Sequence, residues 1–581
     1  MKKYQTLILA TLICAPFMID AQAPTVSDVS PAPHIINAPT GTAITIQFEN
    51  PIDPASISEQ SVRVFGKWSG PASGTFSFFE NNTRVSFLPS ENLFAGEWVN
   101  VSLTKNIKSA DGENMETGYT WGFWMATKPG VLNQPLTETI ELRLPGENYL
   151  QTYGAYAGDM NNDGFSDLVA VNESSDDLRI LLNDGFGGYP SFEIYDTGDN
   201  STPSPSEGAD FNNDGEIDLV VTTAWDNEVR VLTGNGDGSF SNMEIYYTSN
   251  GVRGVVCGDF NGDGWDDMLT TNRLDGDISI FTNKGDGTFE QSKMDIPDID
   301  ETSCALADAN NDGISDIFFA SYNSQRLGIM LGDGNGGFEV SSSLIPTIGR
   351  PWMIAAGDLN GDGFADVVSV NSNGNNTAVA FGSGNGSLGV PTFYTPADHS
   401  FPLAVDLGDI DGDNDLDIVT SNYSSDTYTV FENDGNGLFT PAVTLLAPAA
   451  SSCAILHDRD NDGDLDITGT DEEADVILLF ENIDSIINSS VEFFSKKIQL
   501  NIYPNPSTDQ LFISHKSVTS KEITYTIYDF AGSLIDSWKK RQATWNENEI
   551  WVVPSELKTG LYSIEVKMDG IKVAKRFAVM K

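Results

Sequence analysis

The stretch Asp159-Met160-Asn161-Asn162-Asp163-Gly164-Phe165-Ser166-Asp167 has six further counterparts in this 581-residue chain, beginning at Asp210, Asp259, Asp308, Asp358, Asp409 and Asp458. Each copy closes on an Asp eight positions after its first residue, and an aliphatic, strand-like run flanks it on both sides. Successive starts lie 51, 49, 49, 50, 51 and 49 residues apart. A period near 50 with strands in every unit marks a repeat architecture, and seven radial copies most economically close into a propeller. The expected fold class is therefore all-β, with a seven-bladed β-propeller over residues 146–483.

The residue types explain the repeat chemically. Oxygen side chains at positions 1, 3, 5 and 9 can converge on one hard cation, with the carbonyl of position 7 completing the set. The candidate ligands, each copy's position 7 residue given last, are Asp159, Asn161, Asp163, Asp167 and Phe165; Asp210, Asn212, Asp214, Asp218 and Glu216; Asp259, Asn261, Asp263, Asp267 and Trp265; Asp308, Asn310, Asp312, Asp316 and Ile314. The last three copies supply Asp358, Asn360, Asp362, Asp366 and Phe364; Asp409, Asp411, Asp413, Asp417 and Asp415; Asp458, Asp460, Asp462, Asp466 and Asp464. Position 6 must turn sharply, and it is Gly in six copies and Asn414 in the other. No Cys or His stands at a ligand position, so Ca²⁺ is favoured over Zn²⁺ and Mg²⁺. A twelve-residue EF-hand would need Glu at position 12, where the first copy has Ala170. The expectation is up to seven structural, non-catalytic calcium ions.

The unit of aliphatic strand, Gly-Asp-x-Asn-x-Asp-Gly-x-x-Asp, aliphatic strand and Gly-Asp-Gly-x-Phe turn (Gly236 to Phe240, Gly285 to Phe289) resembles the FG-GAP or VCBS repeat of integrin-type propellers. The seventh copy departs from it, because Asp484 to Ser490 stands where the turn and outer strand should be. The alternating run Leu136 to Leu144, within a linker over 129–145, is expected to complete that blade as a ring-closing strand.

The formal charge of −53 argues against nucleic acid or an anionic membrane as the main partner. Seven divalent ions would offset about 14 of these charges. From Lys496 onward the balance reverses, with 13 Lys or Arg against 9 Asp or Glu, so a separate domain begins there after a linker over 484–499. Its opening Tyr503-Pro504-Asn505-Pro506, its strand at Gly560-Leu561-Tyr562 and its basic Lys575-Arg576 make residues 500–581 similar to the C-terminal sorting domain of type IX secretion substrates in Bacteroidetes-type bacteria. That resemblance implies recognition by the type IX secretion machinery, export across the outer membrane, removal of the domain, and attachment to the cell surface or release. The start fits this route: Lys2-Lys3, an apolar core from Leu7 to Met18 and Ala21-Gln22-Ala23 read as a signal peptide over 1–23. No other segment is long and apolar enough to span a bilayer. Residues 24–128 carry short alternating strands and Pro-rich turns, which indicate an Ig-like sandwich. Pro51-Ile52-Asp53-Pro54 and Tyr119-Thr120-Trp121-Gly122-Phe123 there resemble bacterial Ig-like domains. Two Ig-like β-sandwich domains would thus flank the propeller.

Cys257, Cys304 and Cys453 fall on expected innermost strands and read as small buried hydrophobes. The four His residues are scattered, which suggests neither a zinc site nor a catalytic triad; His399 beside Asp398 is the one candidate base. With the metal loops on one face, the hairpins and inter-blade connections of the other bear Trp225, Arg253, Arg273, Tyr322, Arg326, Arg350 and Trp352, four of the nine basic residues between 146 and 483. Arg forks onto carboxylates and aromatic faces stack on sugars, so these seven are candidate ligand-binding residues for a glycan, an anionic one included. Three functions stay open: a non-catalytic secreted or surface-attached binding and adhesion protein whose ligand is a glycan or a protein; a secreted polysaccharide lyase or hydrolase; and a structural spacer.

Overall fold

Each repeat folds into one antiparallel sheet because its strands differ in what they can bury. In the first repeat the strands are Thr152–Gly158, Asp167–Asn172, Asp177–Leu181 and Glu193–Asp196, paired in chain order. The second strand is buried at every residue and the fourth is largely exposed, as expected for a sheet packed on both faces near a ring centre and wetted at its rim. The nine-residue loop joins first strand to second. The computed structural model describes residues 22–198, 200–296, 300–342, 344–483 and, beyond 498, the strands of the last domain with a few connecting residues. Of the described residues 51% are strand and 2% helix.

Six such sheets follow one another from Thr152, and a seventh is built from Ser451–His457, Asp466–Asp471, Val476–Phe480 and, last in the order, Leu136–Glu141. The innermost strands pack side by side in sequence, and Ser451–His457 packs against Thr152–Gly158 to close the ring. Leu136–Glu141 pairs antiparallel with Val476–Phe480, with Ile140 opposite Ile477 and Glu141 opposite Val476. The outer strand of blade seven thus comes from before the array. Residues 484–490, where the seventh repeat loses its pattern, lie outside the described residues, as do 491–498 and residues 1–21 of the expected signal peptide over 1–23.

The N-terminal domain is a sandwich of two four-stranded sheets around Ile44, Ile46, Phe48, Val64, Val85, Phe87, Val99, Val101 and Phe123. It sits on the face of the ring that carries the nine-residue loops. Arg63 donates to the Gly264 carbonyl (2.6 Å) and to Asn213, Lys105 N–H to the Gly262 carbonyl (2.8 Å), Thr120 N–H to the Gly313 carbonyl (2.6 Å) and Gly130 N–H to the Asp411 carbonyl (2.9 Å). The last domain holds a three-stranded and a four-stranded sheet, with Leu511, Ile513, Tyr525, Ile527 and Ile564 in its core.

Candidate functional site

Each loop is shaped by its own carboxylates. Asp159 accepts from the N–H groups of Asp163 (3.0 Å) and Gly164 (2.9 Å), Asn161 Oδ1 from Asp163 (3.0 Å), and Asp163 from Phe165 (3.0 Å), which turns the oxygens inward. Gly164 has φ +83° and Asn414 φ +73°, the left-handed turn that position 6 requires. Position 9 also anchors the loop to its blade. Asp167 accepts from Met160 N–H (3.0 Å) and from Asn183 N–H (2.7 Å), stapling the loop to the end of the third strand. All seven blades repeat this staple, through Asp218, Asp267, Asp316, Asp366, Asp417 and Asp466.

The loops suit a hard cation. Oxygens of Asp409, Asp411 and Asp413 lie within 4.8 Å of one another, as do those of Asp458, Asp460 and Asp462. Asp411 Oδ1 and Asp415 Oδ1 are buried without a hydrogen-bond donor. Burial pushes Asp267 up to about 8, and burial together with Asp411 and Asp415 pushes Asp417 up to about 9. A cluster of oxygen ligands whose ionised form is this disfavoured by its surroundings fits a divalent cation.

The tip Lys67-Trp68-Ser69 of the N-terminal domain enters the centre of the ring. Buried Glu97 shapes it, accepting from Trp68 N–H (2.9 Å), Ser69 N–H (2.9 Å), Ser69 Oγ (2.8 Å) and Phe94 N–H (2.6 Å). Gly70 (φ +71°) then passes so close to Ile217 that a Cβ would stand 2.7 Å from it. Trp68 carbonyl accepts from Asp159 N–H (2.7 Å), and Lys67 Nζ reaches Asp406 on the innermost strand of blade six (3.2 Å). Lys67, Glu207, Cys257, Asp406 and Cys453 line the channel that remains, a cavity of about 350 Å³.

At its far mouth every innermost strand carries a bulge. The register slips across Tyr153, Arg253, Thr302, Trp352 and Ser452, and across two residues in blades two and six. Bulges re-aim side chains, and here residues of blades one, three and five meet across the opening. Trp352 Nε1 donates to Tyr153 Oη (2.6 Å), and Arg253 lies over the rings of Tyr153 (5.7 Å) and Trp352 (5.8 Å). Arg253 also donates to Glu173 (3.0 Å) and Ser204 (2.8 Å). Arg273 lies over Tyr322 (5.1 Å) and Trp352 (5.6 Å), and Arg350 over Tyr322 (4.9 Å). On the blade seven side Gln151 donates to both Glu173 and Glu472 (3.0 Å each), and burial with the Glu173 charge pushes Glu472 up to about 7.

The sequence model for the FG-GAP-like repeat matches overlapping pairs of units from residue 159 to residue 468, more than half of the chain. The chain belongs to the FG-GAP-like repeat family. Residues 20–124 of this FG-GAP-like repeat protein match the bacterial Ig-like domain, and residues 501–580 match the secretion system C-terminal sorting domain. It is thus a secreted or cell-surface repeat protein addressed to the type IX secretion machinery. Among the described residues no helix is long and apolar enough to cross a membrane. No curated protein matches it. Solved structures similar to it include BBS1N in complex with ARL6DN (13% identity, 61% of this chain and 98% of that one, TM-score 0.45). Others are a functionally unknown protein from Desulfotomaculum acetoxidans (12%, 64% and 94%, TM-score 0.38) and a chain of Polycomb Repressive Complex 2 from Chaetomium thermophilum (9%, 60% and 97%, TM-score 0.41).

Of the seven open-face residues expected from the FG-GAP-like sequence, Arg253, Arg273, Tyr322, Arg350 and Trp352 form one cluster. Trp225, 71% exposed on the blade two hairpin, and exposed Arg326 make none of its ring contacts. Tyr153 and Glu173 belong to it and were not among the seven. Tyr153 stands 100 residues before Arg253, and Arg253 stands 99 before Trp352, so aligning the repeats on their bulge would have found it. His399 is no open-face base: it is buried against Phe431 with Nε2 at 3.0 Å from Thr377 Oγ1, and burial lowers it to about 4.

Proposed function

We propose that this FG-GAP-like repeat protein is a non-catalytic binding and adhesion protein, stabilised by up to seven calcium ions, that meets its glycan or protein ligand on the face opposite the calcium loops. The observation that carries the reading is the cluster of three Arg, two Tyr and one Trp at the channel mouth, on the face opposite the N-terminal domain. Calcium would supply positive charge to the carboxylates of positions 1, 3, 5 and 9, so the ions support the ring on the covered side and take no part in recognition. The ring contacts hold the open-face side chains, so little entropy is lost when a ligand arrives.

A glycan array and a surface-protein panel probed with the full chain in millimolar calcium test this, alongside Arg273→Ala/Trp352→Ala. Binding lost in the double variant supports the reading. Binding that survives it, or no binding at all, places recognition elsewhere or favours a spacer, and new unsaturated or reducing ends on a bound polysaccharide would make the protein an enzyme.

A further inference from the structure

The chemistry of the open-face cluster narrows its ligand, given the binding role proposed above. The aromatic rings there are not free sugar platforms. Tyr322 has the guanidinium groups of Arg350 and Arg273 over it at 4.9 and 5.1 Å, and Trp352 has those of Arg273 and Arg253 at 5.6 and 5.8 Å. Tyr322 and Trp352 meet edge to face at 73°, which fixes the corner on which the guanidiniums rest. A guanidinium stacked on a ring uses its flat face and keeps its N–H edge for an anion.

The three edges differ. Arg253 commits its own to Glu173 and Ser204. Among the described residues the guanidiniums of Arg273 and Arg350 have no carboxylate within ion-pair distance and no hydrogen-bond acceptor. Burial and then the neighbouring charge of Arg253 disfavour the charged form of Arg273, and they outweigh the smaller support it draws from Tyr322, Tyr153 and Asp300. Two half-buried cations held over one tyrosine ring with no carboxylate in contact cost stability unless an anion joins them. This happens in a chain of net charge −53 with nine basic residues in the whole propeller, where general affinity for polyanions is not expected.

The surroundings choose among anions. Glu472 and exposed Glu473 stand on the blade seven side of the same face, near Glu173. A broad acidic protein surface would meet these carboxylates while seeking the arginines. A single sugar chain can set its anionic group on the arginines and turn its hydroxyl donors toward Glu473.

We propose that Arg273 and Arg350 form an oxyanion subsite for the carboxylate or sulfate groups of an acidic polysaccharide. The test uses matched pairs on the full chain in millimolar calcium: dextran sulfate against dextran, and polygalacturonate against its methyl ester. The charged member of at least one pair is expected to bind and its neutral counterpart not to, and the pair that responds tells sulfate from carboxylate. Arg273→Ala and Arg350→Ala should each weaken binding by about tenfold or more, with melting curves no lower than that of the unaltered chain. Arg273→Lys, which keeps the charge and loses the fork, should fall between. Arg84→Ala, on the exposed edge of the N-terminal domain, should change nothing. Equal binding of charged and neutral members would overturn the anion subsite while leaving the open-face reading intact. Polyanion binding that survives Arg273→Ala and Arg350→Ala would overturn the assignment to these residues. Binding of an acidic protein but of none of the polysaccharides would overturn the saccharide class, and binding of no probe would overturn the proposal outright.

Discussion

Asp259 shows how much one position carries. Its carboxylate accepts from Gly262 N–H (2.7 Å), Asp263 N–H (3.1 Å) and Gly264 N–H (2.8 Å), and it is the first proposed calcium ligand of blade three. Asp259→Ala should leave those donors unpaired, cost roughly 2–4 kcal/mol and remove one ion per chain; an unchanged melting curve in calcium with unchanged ion stoichiometry would sink the assignment. Glu207 answers to pH instead. It faces the channel, where burial pushes its carboxyl up to about 7 against the pull of Lys67. A carboxyl that holds its proton more tightly in the folded state gives stability that is full below its ordinary value of 4.5 and is lost as pH rises toward 7. Glu207→Gln should flatten the fall of melting temperature across that window, an effect on the order of 1–3 kcal/mol at neutral pH; parallel pH profiles for the two proteins would contradict it.

The ring-closing segment is the element on which the array depends. Leu136–Glu141 shows the alternation of an edge strand, and Leu142 directly after it is fully buried in the core shared by blades one, six and seven. Arg143 then pairs with Asp475, whose carboxylate also accepts from Gln151 N–H (2.9 Å) and Leu150 N–H (3.1 Å), tying the closing strand to the entry of blade one. Leu142→Ala should cost about 2–4 kcal/mol in chemical denaturation, with the loss shared by the whole ring rather than confined to blade seven. A separate early transition for blade seven alone would show that closure is not cooperative.

At the scale of the whole molecule, the N-terminal domain and the nine-residue loops form one interface. Arg63 reaches the loops of blades two and three at once, through Asn213, the Gly264 carbonyl and Asp266 (3.2 Å), while Thr127 donates to Asp409 (2.9 Å). If the loops take up calcium as proposed, ion binding and domain docking are coupled reciprocally. Arg63→Ala should weaken calcium binding in those two loops by about three- to tenfold, read by calorimetry, and chelation should expose the join between the domains to limited proteolysis. Equal cleavage with and without chelator would separate the two events.

The part of this fold that reads from the chain is local. A nine-residue loop closes through hydrogen bonds among its own residues, and a strand buried on both faces reads as a largely apolar run, so the period, the loops and the candidate metal ligands were legible in the chain alone. The alternation of Leu136 to Leu144 was readable for the same reason. Three things depended on the tertiary structure. Arg63 and Asn213 meet across 150 positions of chain, and no periodicity encodes which face of the ring a sandwich covers. A bulge leaves no mark in the hydrophobic pattern, so Tyr153 was passed over although Arg253 and Trp352 at the same offset were named. Finally, residues of blades one, three and five touch only because the ring is narrow enough for their side chains to span its mouth. That distance is set by the number of blades and their packing, and no single repeat contains it.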